Sequence, residues 1–249
     1  MKIAISGKGG VGKTTIMALI AEQLKQDGKE VLIIDADPSP HMAQTIGLAH
    51  PEEIVPIAEM KSLLAERSGK VEGSPFYNIN PQVDDLLARF MVEANGLRLM
   101  VLGAIEGGDK GCACAENTVL KRLLTKLLLS PTQVVLLDME AGVEHLGRGT
   151  VAGVDHLLTV VIPTQSSIRT ALKIKKLAQE VGIKSIRFVG NRVTDGEDEQ
   201  FLAAGLGERP IACFPDSPAI AKAERSGRPV VELAETLQKP VRQLLAALA

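Results

Sequence analysis

Eight residues near the N-terminus constrain this chain more than any others: Gly7-Lys8-Gly9-Gly10-Val11-Gly12-Lys13-Thr14. They fit the pattern G-x-x-x-x-G-K-[ST], and they lie between a β-branched run, Lys2 to Ser6, and a helical pattern, Lys13 to Gln26. Glycines let the backbone wrap closely around an anion with its N–H groups turned inward. The helix that follows brings free N–H groups and a positive dipole end to the same anion. In such a loop Lys13 reaches the β- and γ-phosphates of a nucleotide and the Thr14 hydroxyl ligates Mg²⁺. Gly9, Gly10, Val11, Gly12 and Thr15 supply the rest of the cradle. The chain therefore begins with a strand–loop–helix unit built for phosphate.

The remainder continues that alternation. Near-continuous apolar runs predict strands over Glu30 to Asp35, Arg98 to Leu102, Gln133 to Asp138, Leu157 to Ile162, Ile186 to Asn191 and Ile211 to Phe214. Amphipathic patterns predict helices over Asn117 to Leu129, Ile168 to Val181, Ser217 to Ser226 and Val231 to Leu248. Strands alternating with helices imply βαβ units in a doubly wound α/β fold, a mostly parallel sheet with helices on both faces. With 249 residues, 45% of them hydrophobic, there is material for one sizeable core. We read residues 1–249 as a single domain, with an irregular insertion near 50–81 that carries a helix or two.

Composition narrows the partners. The formal net charge is −2, and five Phe, one Tyr and no Trp leave little for a base-stacking platform, so no nucleic-acid partner is expected. No apolar run reaches the roughly 20 residues of a spanning helix, so no membrane partner is expected either. The N-terminus passes directly into a strand, which makes the cytoplasm the expected compartment.

Lys8, directly after the first glycine, makes the loop the deviant Walker A form G-K-G-G-x-G-K-T. In this the chain resembles the family of the nitrogenase iron protein and the MinD and ParA ATPases, P-loop NTPases of the SIMIBI class. The resemblance implies that Lys8 reaches the phosphates of the nucleotide held by another subunit, and hence an ATP-dependent homodimer. A cation supplied across an interface couples dimer closure to stabilisation of the transferring phosphoryl group, as arginine fingers do. Taken alone, Lys8 also reads as a solvated loop lysine.

Asp35-Ala36-Asp37-Pro38 ends the second strand, on the edge where open α/β sheets bind ligands. By itself it fits a helix-capping turn. By resemblance it is the first switch, with Asp37 orienting the attacking water. Val134-Val135-Leu136-Leu137-Asp138 is four apolar residues ending in a carboxylate, and Asp138 is expected to hold Mg²⁺ through water. The second switch follows, with Gly142 as the residue that senses the γ-phosphate. Glu140 stands where MinD-type relatives carry proline, a departure that weighs against a cell-division or partition role. His145 reads as a solvated or capping residue, or as one with a metal role. Asn191-Arg192 and Pro215-Asp216, at two later strand ends, resemble the family's base-binding positions; an Asn at a strand end is also an ordinary turn former.

Cys112 and Cys114 flank Ala113 just before a helix whose N-terminus favours thiolates. Two sulfurs cannot complete a tetrahedral site, but two copies in a twofold dimer bring four, suited to Zn²⁺ or Ni²⁺. Buried small hydrophobes or a redox pair also explain a C-x-C. Cys213, inside an apolar strand, reads as core. Together the loop, the run Asp138 to Thr150 and the C-x-C resemble the CooC-type nickel-insertion ATPases over essentially the whole chain. That resemblance implies ATP and ADP as ligands and ATP hydrolysis as the reaction. It also implies a client nickel enzyme, carbon monoxide dehydrogenase or acetyl-CoA synthase. The rival readings are a ParA/MinD-type positioning switch and an iron–sulfur carrier ATPase.

Overall fold

The computed structural model describes residues 1–37, 39, 41–69, 77–78, 80–103, 114–129, 134–140 and 153–249, with backbone alone at 114–116 and 129. Its strands are β1 (Lys2–Gly7), β2 (Val31–Ala36), β3 (Val92–Ala94), β4 (Leu97–Val101), β5 (Val134–Met139), β6 (His156–Val161), β7 (Ser185–Val193) and β8 (Ala212–Pro215). They form one sheet in the order β3-β4-β2-β5-β1-β6-β7-β8, parallel throughout except for β3 against β4.

Successive side chains of a strand go to opposite faces, and here both faces are covered. In β1, Ile3 and Ile5 enter one core layer and Ala4 the other; in β2, Val31 and Ile33 oppose Leu32 and Ile34. This is why the strands read as unbroken apolar runs. One face is covered by α1 (Lys13–Gln26), the other by α3 (Lys61–Ser68), α4 (Asp84–Phe90) and α5 (Cys114–Leu129). Helices α6 (Gln165–Val181) and α7 (Gly196–Leu206) pack on the β7 side around Phe188, Leu202 and Ile168. A short α2 (Met42–Thr45) follows β2, and α8 (Pro218–Arg225) follows β8. Among the described residues, the region near 50–81 holds two single 3₁₀ turns, Pro51–Glu53 and Ile57–Glu59, and then α3, whose fully buried Leu64 joins the same core layer as Ile57.

Three differences from the sequence reading have simple causes. The helix expected over Val231 to Leu248 is a 3₁₀ segment, Val230–Leu237, followed by α9 (Gln238–Ala246). Pro240 has no N–H to donate and its ring would meet the Thr236 carbonyl, so an α-helix can start around it but not run through it. This segment docks along α1, burying Val230, Leu237, Val241 and Leu244. It explains why α1 is buried on nearly every side from Thr15 to Leu24. Second, α7 was not expected, because Gly196 and Gly205 lower its helical propensity. Asp195 offsets that loss by accepting the Glu197 and Asp198 N–H groups, and Gly207 closes the helix with φ 73°. A Cβ on Gly205 would meet Ile168 Cδ1 at 2.6 Å, so the glycine lets α7 approach α6. Third, the edge strand β3 turns into β4 through Asn95 and Gly96, both with positive φ (51° and 71°), the two-residue hairpin that Asn-Gly favours.

Candidate nucleotide site

β1 lies between β5 and β6, so the helices after β1 and β6 leave the sheet at its switch point, where open α/β sheets bind ligands. The loop at 7–12 sits on that edge. Gly7 has φ 153°, and a Cβ there would approach the Val160 carbonyl oxygen to 2.6 Å. Gly12 has φ 90°, and a Cβ on it would collide with the Asn191 amide. Glycine is required at both positions by space as well as by dihedral. Asn191, buried at the end of β7, donates from Nδ2 to the Val11 carbonyl at 2.7 Å and so pins the loop from behind. Val11 itself is buried in the core. Gly12 is the N-terminal flank of α1, and no side chain caps that helix. The positive end of α1 is thus left to an incoming anion.

The acidic side of the site is built by strand pairing. Asp35 and Asp138 occupy partnered positions of β2 and β5, and both are fully buried. Thr14 donates its hydroxyl to Asp138 Oδ2 at 2.6 Å, while Asp138 Oδ1 is buried without a hydrogen-bond partner among the described residues. Burial, reinforced by the Asp35 charge, pushes the Asp138 carboxyl up to about 7 against the opposing pull of Thr14 and Lys13. Burial likewise raises Asp35 to about 6. The Asp35 oxygens accept from the backbone N–H groups of Asp37 (3.2 Å) and Met42 (3.1 Å), fastening both ends of the loop that carries Asp37. Asp37 in turn accepts from the Ser39 N–H at 2.9 Å. A hydroxyl and a carboxylate with an open buried oxygen form an all-oxygen donor set. It suits a hard divalent cation such as Mg²⁺, which the residues present fit.

A cavity of about 500 Å³ opens over these groups, lined by Gly9, Gly10, Gly12, Lys13, Thr14, Thr15, Asp37 and Arg192. The structure thus brings eight of the expected site residues to one space. Its far wall was not expected: Ser39, His41, Gln44, Thr45, Glu224, Arg228 and Val230. Thr15 reaches across to that wall, donating to Glu224 Oε1 at 3.0 Å. Nothing local marks Glu224, 209 residues away in sequence, as part of the site. Lys8 lies outside the described lining, its ammonium donating to Ser166 Oγ of α6 at 2.9 Å. Pro215 and Asp216 end and follow β8 beside Val193, and like Asn191 they are not among the lining residues. Gly142, His145 and Cys112 lie outside the described residues, as does the side chain of Cys114, which opens α5. Cys213 is half-buried against the α6–α7 layer, and burial raises its thiol pKa.

The fold and phosphate loop match a known family over most of their length: the CobQ/CobB/MinD/ParA nucleotide binding domain aligns with residues 2–230. The chain belongs to this family. Among curated relatives of this nucleotide-binding family, the carbon monoxide dehydrogenase accessory protein CooC of Rhodospirillum rubrum is 37% identical, covering 100% of this chain and 96% of the relative. An uncharacterized ATP-binding protein of Methanocaldococcus jannaschii is 39% identical over 92% of this chain and 91% of its own. Solved structures show the same fold. A chain of the MinC:MinD cell division protein complex of Aquifex aeolicus superposes with a TM-score of 0.69 at 24% identity, covering 99% of this chain and 94% of that one. No helix among the described residues is long and apolar enough to cross a membrane.

Proposed function

We propose that this member of the family is a Mg²⁺-dependent ATPase, one domain over residues 1–249, that works as a homodimer to deliver nickel to a client enzyme. The observation that carries the hydrolytic part is the convergence of Lys13, Thr14 and Asp37 on one cavity at the switch point, with buried Asp138 hydrogen-bonded to Thr14. Similarity to CooC over the full length supports the client class, carbon monoxide dehydrogenase or acetyl-CoA synthase.

In this reading the loop N–H groups from Gly9 to Thr15 and the Lys13 ammonium bind the phosphates of ATP. Asn191, Arg192, Pro215 and Asp216, at the ends of β7 and β8, border the base. Thr14 and Asp138 would hold Mg²⁺, whose charge would offset that of the β- and γ-phosphates when bound. Asp37, held by the Asp35 clamp, orients a water whose oxygen bonds to the γ-phosphorus as the bond to the β–γ bridging oxygen breaks. ADP and inorganic phosphate leave, and the water proton ends on phosphate. Lys8 of the partner completes the charge balance, and Gly142 senses departure of the γ-phosphate. Cys112 and Cys114 of two chains hold the cargo, Ni²⁺ or Zn²⁺, in one nucleotide state and release it in the other.

The test is phosphate release by the purified protein with ATP and Mg²⁺, run beside Lys8→Ala and Asp138→Asn. We expect turnover in the wild type, and loss of about 10³-fold or more in Lys8→Ala with ADP affinity retained. Wild-type turnover in Lys8→Ala would end the cross-subunit role. Absence of phosphate release from the wild type, with and without Ni²⁺ or Zn²⁺, would end the ATPase reading.

A further inference from the structure

We infer that Ser166 is the positioning residue for Lys8, holding its ammonium away from the chain's own phosphate cavity and in the direction of a second subunit. The inference rests on the cross-subunit reading of Lys8 and adds a residue to it. The hydrogen bond from Lys8 Nζ to Ser166 Oγ spans 158 positions of sequence. It is exposed, and next along the loop a Cβ on Gly9 or Gly10 would meet nothing within 4 Å among the described residues. Lysine is a flexible four-carbon stem carrying about 2 kcal/mol of rotamer entropy, so an ammonium on a glycine loop points nowhere without a partner.

Ser166 is a fixed partner. It lies in the first turn of the 17-residue helix α6, which Thr164 caps by accepting the Ser167 N–H. Ser167 is buried and its Oγ accepts the Ile162 N–H at 3.1 Å, while the Thr170 hydroxyl donates to the Ser166 carbonyl at 3.0 Å. These bonds lock the backbone of the turn that carries the hydroxyl.

The chemistry of the anchor decides its role. A carboxylate at this position would pair with the ammonium and cancel its charge. A hydroxyl accepts one of the three ammonium protons and leaves the charge whole, with two donors free for a phosphate of the partner's nucleotide. Ser166 therefore directs Lys8 without spending its charge. This is the property wanted in a group that acts only after dimer closure.

The experiment compares kcat, ADP affinity and thermal midpoint for wild type, Ser166→Ala, Ser166→Thr, Ser166→Asp, Lys8→Ala and the Lys8→Ala/Ser166→Ala double variant. We expect Ser166→Ala to lower kcat about 5–10-fold, the usual worth of one such hydrogen bond, with ADP affinity and midpoint unchanged. Ser166→Thr restores kcat to within about twofold, since it keeps the hydroxyl. Ser166→Asp falls below Ser166→Ala, because it pairs the charge. Ser166→Ala has no further effect once Lys8 is gone, the non-additivity expected of residues acting through one another. Wild-type kcat in Ser166→Ala beside an inactive Lys8→Ala overturns this inference and leaves the cross-subunit reading standing. A Ser166→Asp variant as active as wild type also overturns it. Full activity in Lys8→Ala overturns both.

Discussion

Asp35 and Asp138 face each other on adjacent strands β2 and β5, both fully buried, with no basic side chain forming an ion pair to either among the described residues. Two carboxyls in that position cannot both ionise cheaply, and burial holds them at about 6 and about 7. In the unfolded chain they lose their protons near ~4. Between those values the folded chain binds more protons than the unfolded one, so stability falls as pH rises and levels off above about 7. Thermal midpoints of the metal- and nucleotide-free protein from pH 5 to 8 should decline, and the decline should be shallower in Asp138→Asn. Parallel slopes in the two proteins would contradict the assignment.

Gly12 sits against the Asn191 amide with a left-handed backbone, so Gly12→Ala carries both a dihedral and a steric penalty. We expect a loss of about 1–3 kcal/mol in stability, the cost of backbone strain of this kind, together with loss of ADP binding by calorimetry. Asn191→Ala removes the bond to the Val11 carbonyl but introduces no clash. Its expected cost is about 1 kcal/mol, with weakened rather than abolished ADP binding. A Gly12→Ala variant as stable as wild type would show that the loop relaxes easily.

Gly205 permits the close approach of α7 to α6 over Ile168. Gly205→Leu should destabilise the chain by about 1–3 kcal/mol through overpacking, measured by denaturant midpoint. Ile168→Val in the same background should recover part of that loss by removing the methyl that the new side chain meets. Failure of the second change to help would mean that the strain is taken up elsewhere.

If Cys112 and Cys114 of two chains share one ion, Cys112→Ala or Cys114→Ala should abolish tight Ni²⁺ or Zn²⁺ binding by metal analysis after gel filtration. ADP affinity should stay within about threefold, a difference of under 1 kcal/mol. One equivalent of metal per dimer retained in both variants would refute the shared site.

The phosphate loop, the parallel strands and α1 were legible in sequence because each rests on local rules: glycines spaced for an anion, apolar runs buried on both faces, a helix pattern directly after the loop. The Asn95-Gly96 hairpin and the Asp195 cap were equally local signals, set down in two-residue turns and acid-rich segments that periodicity passes over. Pro240, likewise, marks the break between the 3₁₀ segment and α9.

The amino-acid order alone determined that a strand, a glycine loop and a helix would meet a phosphate, since those neighbours are joined by a few peptide bonds. Only the folded sheet decided that Asp35 and Asp138 would lie side by side, that Thr15 would meet Glu224, that Asn191 would brace Val11, and that Lys8 would rest on Ser166. Each of those pairs is separated by 100 residues or more of chain. Their contact is set by strand order and register, which arise from burying two apolar faces at once and leave no mark in the local sequence around either partner.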